Sequence, residues 1–319
     1  MNIRIFIMSA SMLLLAGCAG NQKKAEQFAA LPFPDAAVPA MIEEPGARAE
    51  YMALHWWDGI TEPGRGYPCD TLFVSGVLKS EVEQKFANWT NVLNMVDMSV
   101  AGKALVRLYE RAAVCEKEDT SSNVFETVNA LVAKYLYDPN SPVRNEDHYA
   151  FYASRLAVSD LIEPVMNEKY AREVRLAALN RVGTKASDFR FADRRGQIRT
   201  LYGIDSELVL LFFSNPGCAA CKDIIDVLNN DPFISGLIAD GTLAVLNIYI
   251  DEDLEAWRSY MPIYPETWYN GFDPDLVIRG ETVYHVRAIP SLYLLDRNKT
   301  VIMKDAPESR LFDWLSRYE

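Results

Sequence analysis

Leu208 to Phe213 is an unbroken run of six apolar residues, and Cys218-Ala219-Ala220-Cys221 follows it within a few positions. So short and continuous a run reads as a buried strand, and Ala219 to Leu228 reads as a helix, so the two thiols stand where a strand hands over to a helix. Cys218 would occupy the helix N-terminus, where unpaired N–H groups and the positive end of the dipole favour a thiolate. Cys221 would lie one turn further in, covered by the fold. Two sulfurs so placed can close and reopen a small disulfide ring, which is redox chemistry.

Downstream, Val286 to Asp296 reads as a strand, Ser291-Leu292-Tyr293-Leu294-Leu295, entered through Ile289-Pro290. Proline is tolerated at the first residue of a strand, and a cis X-Pro bond there is energetically accessible. With the dithiol and this proline together, residues 186–319 resemble a thioredoxin-like domain of the membrane-tethered reductase kind. Ala186 to Phe191, with Gly196 following, is similar to the opening strand of that group, Thr300 to Pro307 to its last hairpin, and Glu308 to Tyr318 to its final helix. The resemblance implies that Pro290 forms a cis bond, packs against the sulfurs and presents backbone to a client chain.

On the residues alone, two other readings of the dithiol stay open. A Cys-x-x-Cys can be half of a zinc site, yet no second Cys or His pair stands at ligand spacing: His285 is alone, and His55 and His148 are remote. No metal is therefore expected. The pair can also be an inert disulfide or a decayed site kept for packing, against which strand, helix start and Pro290 all agree.

At the other end of the chain, Met1 to Gly17 carries Arg4, an apolar core and then Leu15-Ala16-Gly17-Cys18, the order of a lipoprotein signal. Residues 1–17 are read as the signal peptide, Cys18 as the lipidated first residue, and residues 18–41, with Pro32, Pro34 and Pro39, as a tether. Ala19 after Cys18, where Asp is absent, resembles outer-membrane sorting. No later stretch is long and apolar enough to span a bilayer. The formal net charge of −12 becomes −13 once residues 1–17, with one Arg and no acid, are removed. Without a basic stripe, nucleic acid is not an expected partner, and the membrane is met only through the lipid.

Between residues 42 and 183 the pattern is helical. Val82, Phe86, Trp89, Leu93 and Val96 recur at helical spacing within Glu81 to Val96, and Gly102–Val114, Val124–Tyr137, Asp147–Leu161 and Pro164–Val182 follow suit. The fold class is thus a two-domain α+β chain: an all-α domain at 42–183, then an α/β thioredoxin-like fold at 184–319. The first domain is similar to the uncharacterised helical domain that precedes thioredoxin-like domains in lipoproteins of the Bacteroidota type, notably at His55-Trp56-Trp57-Asp58. Those aromatic residues read either as a ligand site or as an anchor where the N-terminal segment docks; the area that two Trp rings bury favours the anchor. Cys69 and Cys115 are expected to pair in an oxidising compartment, where a loop of that length contributes about 4 kcal/mol. The alternative is two free thiols.

Several departures from the thioredoxin pattern bear on mechanism. Phe212 stands six residues before Cys218, where thioredoxins resemble one another in carrying a buried Asp, and Ala219-Ala220 matches neither the reductant nor the oxidant dipeptide. Asp251, Glu252 and Asp253 are candidate substitutes for that acid, though capping of the next helix is the simpler role. Trp268 and Asn270, in the aromatic turn-rich stretch Trp268 to Pro274, read with Ile289 as a client groove, or else as a stretch that covers the sheet edge. Asn215 stands where peroxiredoxins resemble one another in placing Thr or Ser, which argues against peroxidase chemistry.

The expected function is that of a lipid-anchored thiol–disulfide oxidoreductase facing the periplasm from the outer membrane. Cys218 would attack, Cys221 resolve, and Pro290 contact the client backbone. Protein thiols and disulfides would be the clients, a membrane partner would supply electrons, and no bound cofactor is implied. The rival is a ligand- or partner-binding lipoprotein whose helical domain carries the function. The anchor is testable: Cys18→Ser should move the protein out of the membrane fraction or leave its leader uncleaved, whereas normal processing with unchanged partitioning rules lipidation out.

Overall fold

The computed structural model describes residues 28–280 and 283–318, so Cys18 and the signal segment lie outside the described residues. Six helices build the first part: α1 (Pro45–His55), α2 (Lys79–Leu93), α3 (Met98–Glu118), α4 (Val124–Val132), α5 (Glu146–Leu156) and α6 (Pro164–Ala177). A short hairpin of β1 (Phe73–Val74) and β2 (Val77–Leu78) joins α1 to α2, and α4 runs on into a π-helical turn, Ala133–Tyr137. The helices form because apolar residues recur on one face: in α3, Ala101, Ala104, Leu105, Leu108, Ala112 and Cys115 are buried along a single stripe. Gly102 lets α5 approach α3, since a Cβ there would stand 2.7 Å from the Phe151 ring.

Residues 28–41 are shorter as a spacer than the sequence suggests. Phe33 is buried edge-on against Trp57, its amide donates to Glu81, and Leu31 pairs with Val77. The cause is the ring cluster of Trp57, Phe86 and Trp89, which offers Phe33 more apolar contact than water does. The His55-Trp56-Trp57-Asp58 stretch therefore works as the anchor: Trp57 is core, and His55 is held by Asp58 at 2.7 Å while stacking on Tyr51.

The second part is a seven-stranded mixed sheet. Its strands are β3 (Arg190–Asp193), β4 (Ile198–Thr200), β5 (Leu208–Phe213), β6 (Leu243–Tyr249), β7 (Tyr269–Phe272), β8 (Ser291–Asp296) and β9 (Val301–Met303), in the order β4-β3-β7-β6-β5-β8-β9. The interior strand β5 runs parallel to β6 and antiparallel to β8, and all six of its residues are buried. Leu208, Leu210 and Phe212 face one core, with residues of α7 (Ala219–Asn230), α8 (Pro232–Ala239), α9 (Leu254–Tyr260) and α10 (Glu308–Leu315); Val209, Leu211 and Phe213 face another, with Phe189, Tyr284 and Tyr293. A strand covered on both faces has no polar alternation to show, which is why Leu208 to Phe213 reads as continuous apolar sequence. Residues 183–186 add a further edge pairing, Gly183 and Ala186 donating to the carbonyls of Val301 and Lys299.

A buried charge cluster joins the two parts. Glu146, the first residue of α5, lies 2.5 Å from His285 Nδ1 and 2.9 Å from Lys304 Nζ, with Arg287 Nε at 3.7 Å. Lys304 also donates to the carbonyl of Ala177 at the end of α6. Burial alone would raise the Glu146 carboxyl, but the hydrogen bond with His285 and the charges of Lys304 and Arg287 outweigh it and hold the pKa down at about 2. For the adjacent Asp147 burial wins, and the carboxyl is pushed up. Burial, with Arg310 adding to it, pushes His148 down to about 4, so the folded protein keeps this imidazole neutral.

Both depressed groups make the fold acid-sensitive, in successive windows. His148 is neutral in the fold and ordinary when unfolded, so its contribution is complete above pH 6.5 and is lost as pH falls toward 4. Glu146 contributes fully above 4.5 and loses that contribution toward pH 2. The thermal unfolding temperature should therefore fall from pH 7 to 4, and His148→Gln should flatten that slope. Parallel wild-type and variant curves would contradict the assignment.

Candidate active site

After β5 the chain turns through Ser214 to Gly217 and enters α7. Gly217 has φ +74°, a left-handed conformation that glycine adopts without strain, and this places Cys218 as the N-cap of the helix. Cys218 Sγ accepts the Cys221 amide at 3.1 Å. The two cysteines form a disulfide with Cα atoms 5.2 Å apart; Cys218 is half-buried and Cys221 is 1% exposed. On reduction the same N–H and the N-terminal turn of α7 are aimed at the Cys218 sulfur, which stabilises its thiolate over that of Cys221.

Ile289-Pro290 is a cis peptide bond at the entrance to β8, as the resemblance implied. Its segment is held by side chains that the sequence does not reveal as a group. Asp305 accepts from Ser291 Oγ at 2.8 Å and from Arg287 at 2.6 Å, and Arg287 in turn reaches Glu146. From the helical part, Arg144 donates to the backbone carbonyls of Asp305 and Ala306 at 2.9 and 3.0 Å, and its guanidinium also lies 3.7 Å from the Asp305 carboxylate. The guanidinium of Arg287 stacks over Tyr137, 4.7 Å from the ring centroid.

Phe212, at the position of the absent acid, is fully buried. Beneath the Cys218 loop the polar groups form an uncharged row instead. Ser214 donates to Asn247 at 2.5 Å, Asn247 donates to Asn270 at 3.2 Å, and the Tyr264 hydroxyl lies 3.3 Å from Ser214. Of the three acids considered as substitutes, Asp253 caps α9 (Leu254–Tyr260) by accepting from Ala256. Asp251 accepts from the Asn215 side chain at 2.7 Å and so braces the turn before Cys218, and Glu252 pairs with Arg279.

The groove expectation needs correction at two of its three residues. Ile289 does line a groove of about 300 Å³ beside Ala220 and Pro290, but Trp268 and Asn270 do not. Trp268 is 5% exposed in the core, and Asn270 is consumed by hydrogen bonds to Asn247 and to the carbonyls of Pro265 and Trp268. Asn270 is in β7, two strands from β5, Trp268 directly precedes that strand, and the rim they share is set with Arg194, Arg195 and Arg199. The opposite wall of the groove at Pro290 comes instead from the helical part, through Pro139, Asn140 and Arg144.

Cys69 and Cys115 are a second correction. They remain separate thiols, although both line one small cavity, because the Cys115 sulfur is turned to the carbonyl of Thr61 at 3.5 Å. Burial pushes the Cys115 thiol up, so it is held protonated. Among the described residues, no group of three or more His, Cys, Asp or Glu side chains is placed to hold a metal ion.

Residues 17–180 match the family model described as Domain of unknown function (DUF5106). A thioredoxin-like protein from Bacteroides caccae is similar to this chain in structure, with 35% identity over 90% of this chain and 99% of its own, at a TM-score of 0.77. The C-terminal domain of an uncharacterized protein from Bacteroides fragilis is 44% identical, covering 43% of this chain and 99% of its own, at a TM-score of 0.42. A conserved protein of unknown function from Bacteroides fragilis is 33% identical over 42% of this chain and 98% of its own, at a TM-score of 0.41. No curated protein matches.

The unequal placement of the sulfurs has a direct readout. After reduction, Cys218 should alkylate fast at neutral pH with a thiol pKa below the ordinary value of about 8.5, while Cys221 stays protected until the protein unfolds. Equal alkylation rates for the two would overturn the assignment of Cys218 as nucleophile.

Proposed function

We propose a function for a chain that belongs to the DUF5106 family over residues 17–180 and, along most of its length, to the thioredoxin-like proteins: it is a lipid-anchored thiol–disulfide oxidoreductase acting on protein disulfides in the periplasm. The observation that carries this reading is the disulfide at the start of α7, with one sulfur half-exposed and accepting an amide, the other buried, and Pro290 in the adjoining groove.

In the reducing direction the Cys218 thiolate attacks one sulfur of a client disulfide. A mixed disulfide forms, and the client's other sulfur leaves as a thiolate that takes up a proton. Cys221, deprotonated in turn, attacks Cys218 Sγ, breaks the mixed disulfide and releases the second client thiol. Two electrons have then passed from the dithiol to the client, and the Cys218–Cys221 disulfide is the product. An external dithiol donor at the membrane restores the reduced pair by the same exchange run in reverse. The backbone of Ile289-Pro290, ahead of β8, is what the client backbone would meet. Tethering through Cys18 would keep this exchange at the outer membrane.

Cys221→Ser, expressed in the native host, should accumulate covalent adducts on Cys218 that disappear on treatment with reductant, and Cys218→Ser in the same background should abolish them. A strain carrying both substitutions with full wild-type function would instead favour the rival, in which the helical domain binds a partner and the disulfide is a structural staple.

A further inference from the structure

Nothing above assigns the DUF5106 domain a role, and the groove at Pro290 supplies one. Resting on the oxidoreductase reading, we infer that the helical domain forms the client-selecting wall of the active site: the turn 138–144 faces the dithiol helix across the groove and receives an extended client segment that carries a basic residue near its cysteine. The groove is lined by Ala220, Val227 and Pro290 from the sheet domain and by Pro139 and Asn140 from the helical domain. Ala220, which lines the groove, stands between Cys218 and Cys221 in the chain, so a client bonded to Cys218 whose backbone passes Pro290 enters it.

The wall is built to stay in place. Asp138 accepts from the Asn140 amide and side chain, Ser141 Oγ donates to the Tyr135 carbonyl, and Arg144 fastens the turn to the carbonyls of Asp305 and Ala306. With Arg144 thus engaged, the charged groups left exposed in the groove are Asp223 and Glu308, both acidic. Exposed Val227 and half-buried Phe312 supply apolar surface beside them. An apolar floor with two acids suits a segment with an apolar side chain and a Lys or Arg, and repels an acidic one.

The test compares three oxidised probes on the reduced full-length protein: uncharged hydroxyethyl disulfide, which is too small to meet both walls, and two disulfide peptides that differ only in Lys or Glu beside the cysteine. Wild type should react with the Lys peptide about fivefold faster, the scale of two exposed charge interactions. Asn140→Trp, at an exposed position, should slow both peptides about tenfold by filling the groove, and slow hydroxyethyl disulfide far less. The double variant Asp223→Asn, Glu308→Gln should erase the Lys preference. A protein that reduces hydroxyethyl disulfide but shows neither the charge preference nor the Asn140→Trp effect overturns the helical wall while leaving the oxidoreductase intact. One that reduces none of the probes overturns the oxidoreductase reading, and the client groove with it.

Discussion

The carboxylate of Glu146 is buried at the junction of the two domains, and most of the site's geometry depends on it. A carboxylate taken out of water costs several kcal/mol unless charge and hydrogen bonds replace its hydration. Here His285, Lys304 and Arg287, all from the sheet domain, supply them. Such clusters contribute little net stability compared with an apolar core, yet removing one partner costs roughly 3–5 kcal/mol because the rest are left buried and unpaired. The cluster therefore specifies one docking of the helical domain on the sheet. His285 and Arg287 lie within five residues of Pro290, so the same interaction that docks the domains also fixes the segment that a client would meet.

Around the dithiol, charge is arranged differently. The sulfurs sit at a helix start with backbone N–H groups aimed at Cys218, while Phe212 and the row Ser214, Asn247, Asn270 and Tyr264 put no ionised group under them. The helix N-terminus then stabilises the Cys218 thiolate. Asp251 holds the Asn215 side chain and acts on the turn before Cys218. Its contribution is to position the loop that carries the nucleophile.

What was legible in the sequence follows from the range of the forces involved. Leu208 to Phe213, the capping position of Cys218 and the strand after Pro290 are local patterns, and each stands where it was expected. The helices α2 to α6 are likewise carried by their own periodicity, within a few residues at the ends. The helix α1 has a single buried residue, Ala53, and so offers no stripe to read. Glu146, His285, Arg287 and Lys304 look like ordinary surface charges one at a time, because the contacts that define them span about 140 to 160 positions of chain. Trp268 and Asn270 were open to two readings for a related reason: an aromatic, turn-rich stretch looks exposed until the neighbouring strands that bury it are known. Pairing Cys69 with Cys115 rested on compartment and loop length, which say nothing of where a sulfur points.

The central claim is that the Cys218–Cys221 bond opens and closes in the folded protein. It is tested most directly by equilibrating the full chain with graded mixtures of reduced and oxidised dithiothreitol, then counting alkylated cysteines by mass while circular dichroism follows the fold. The expected result is a single two-electron transition in which Cys218 and Cys221 pass together between disulfide and dithiol with the fold unchanged. A bond that resists reduction until the protein unfolds would make it a structural staple and contradict the reading.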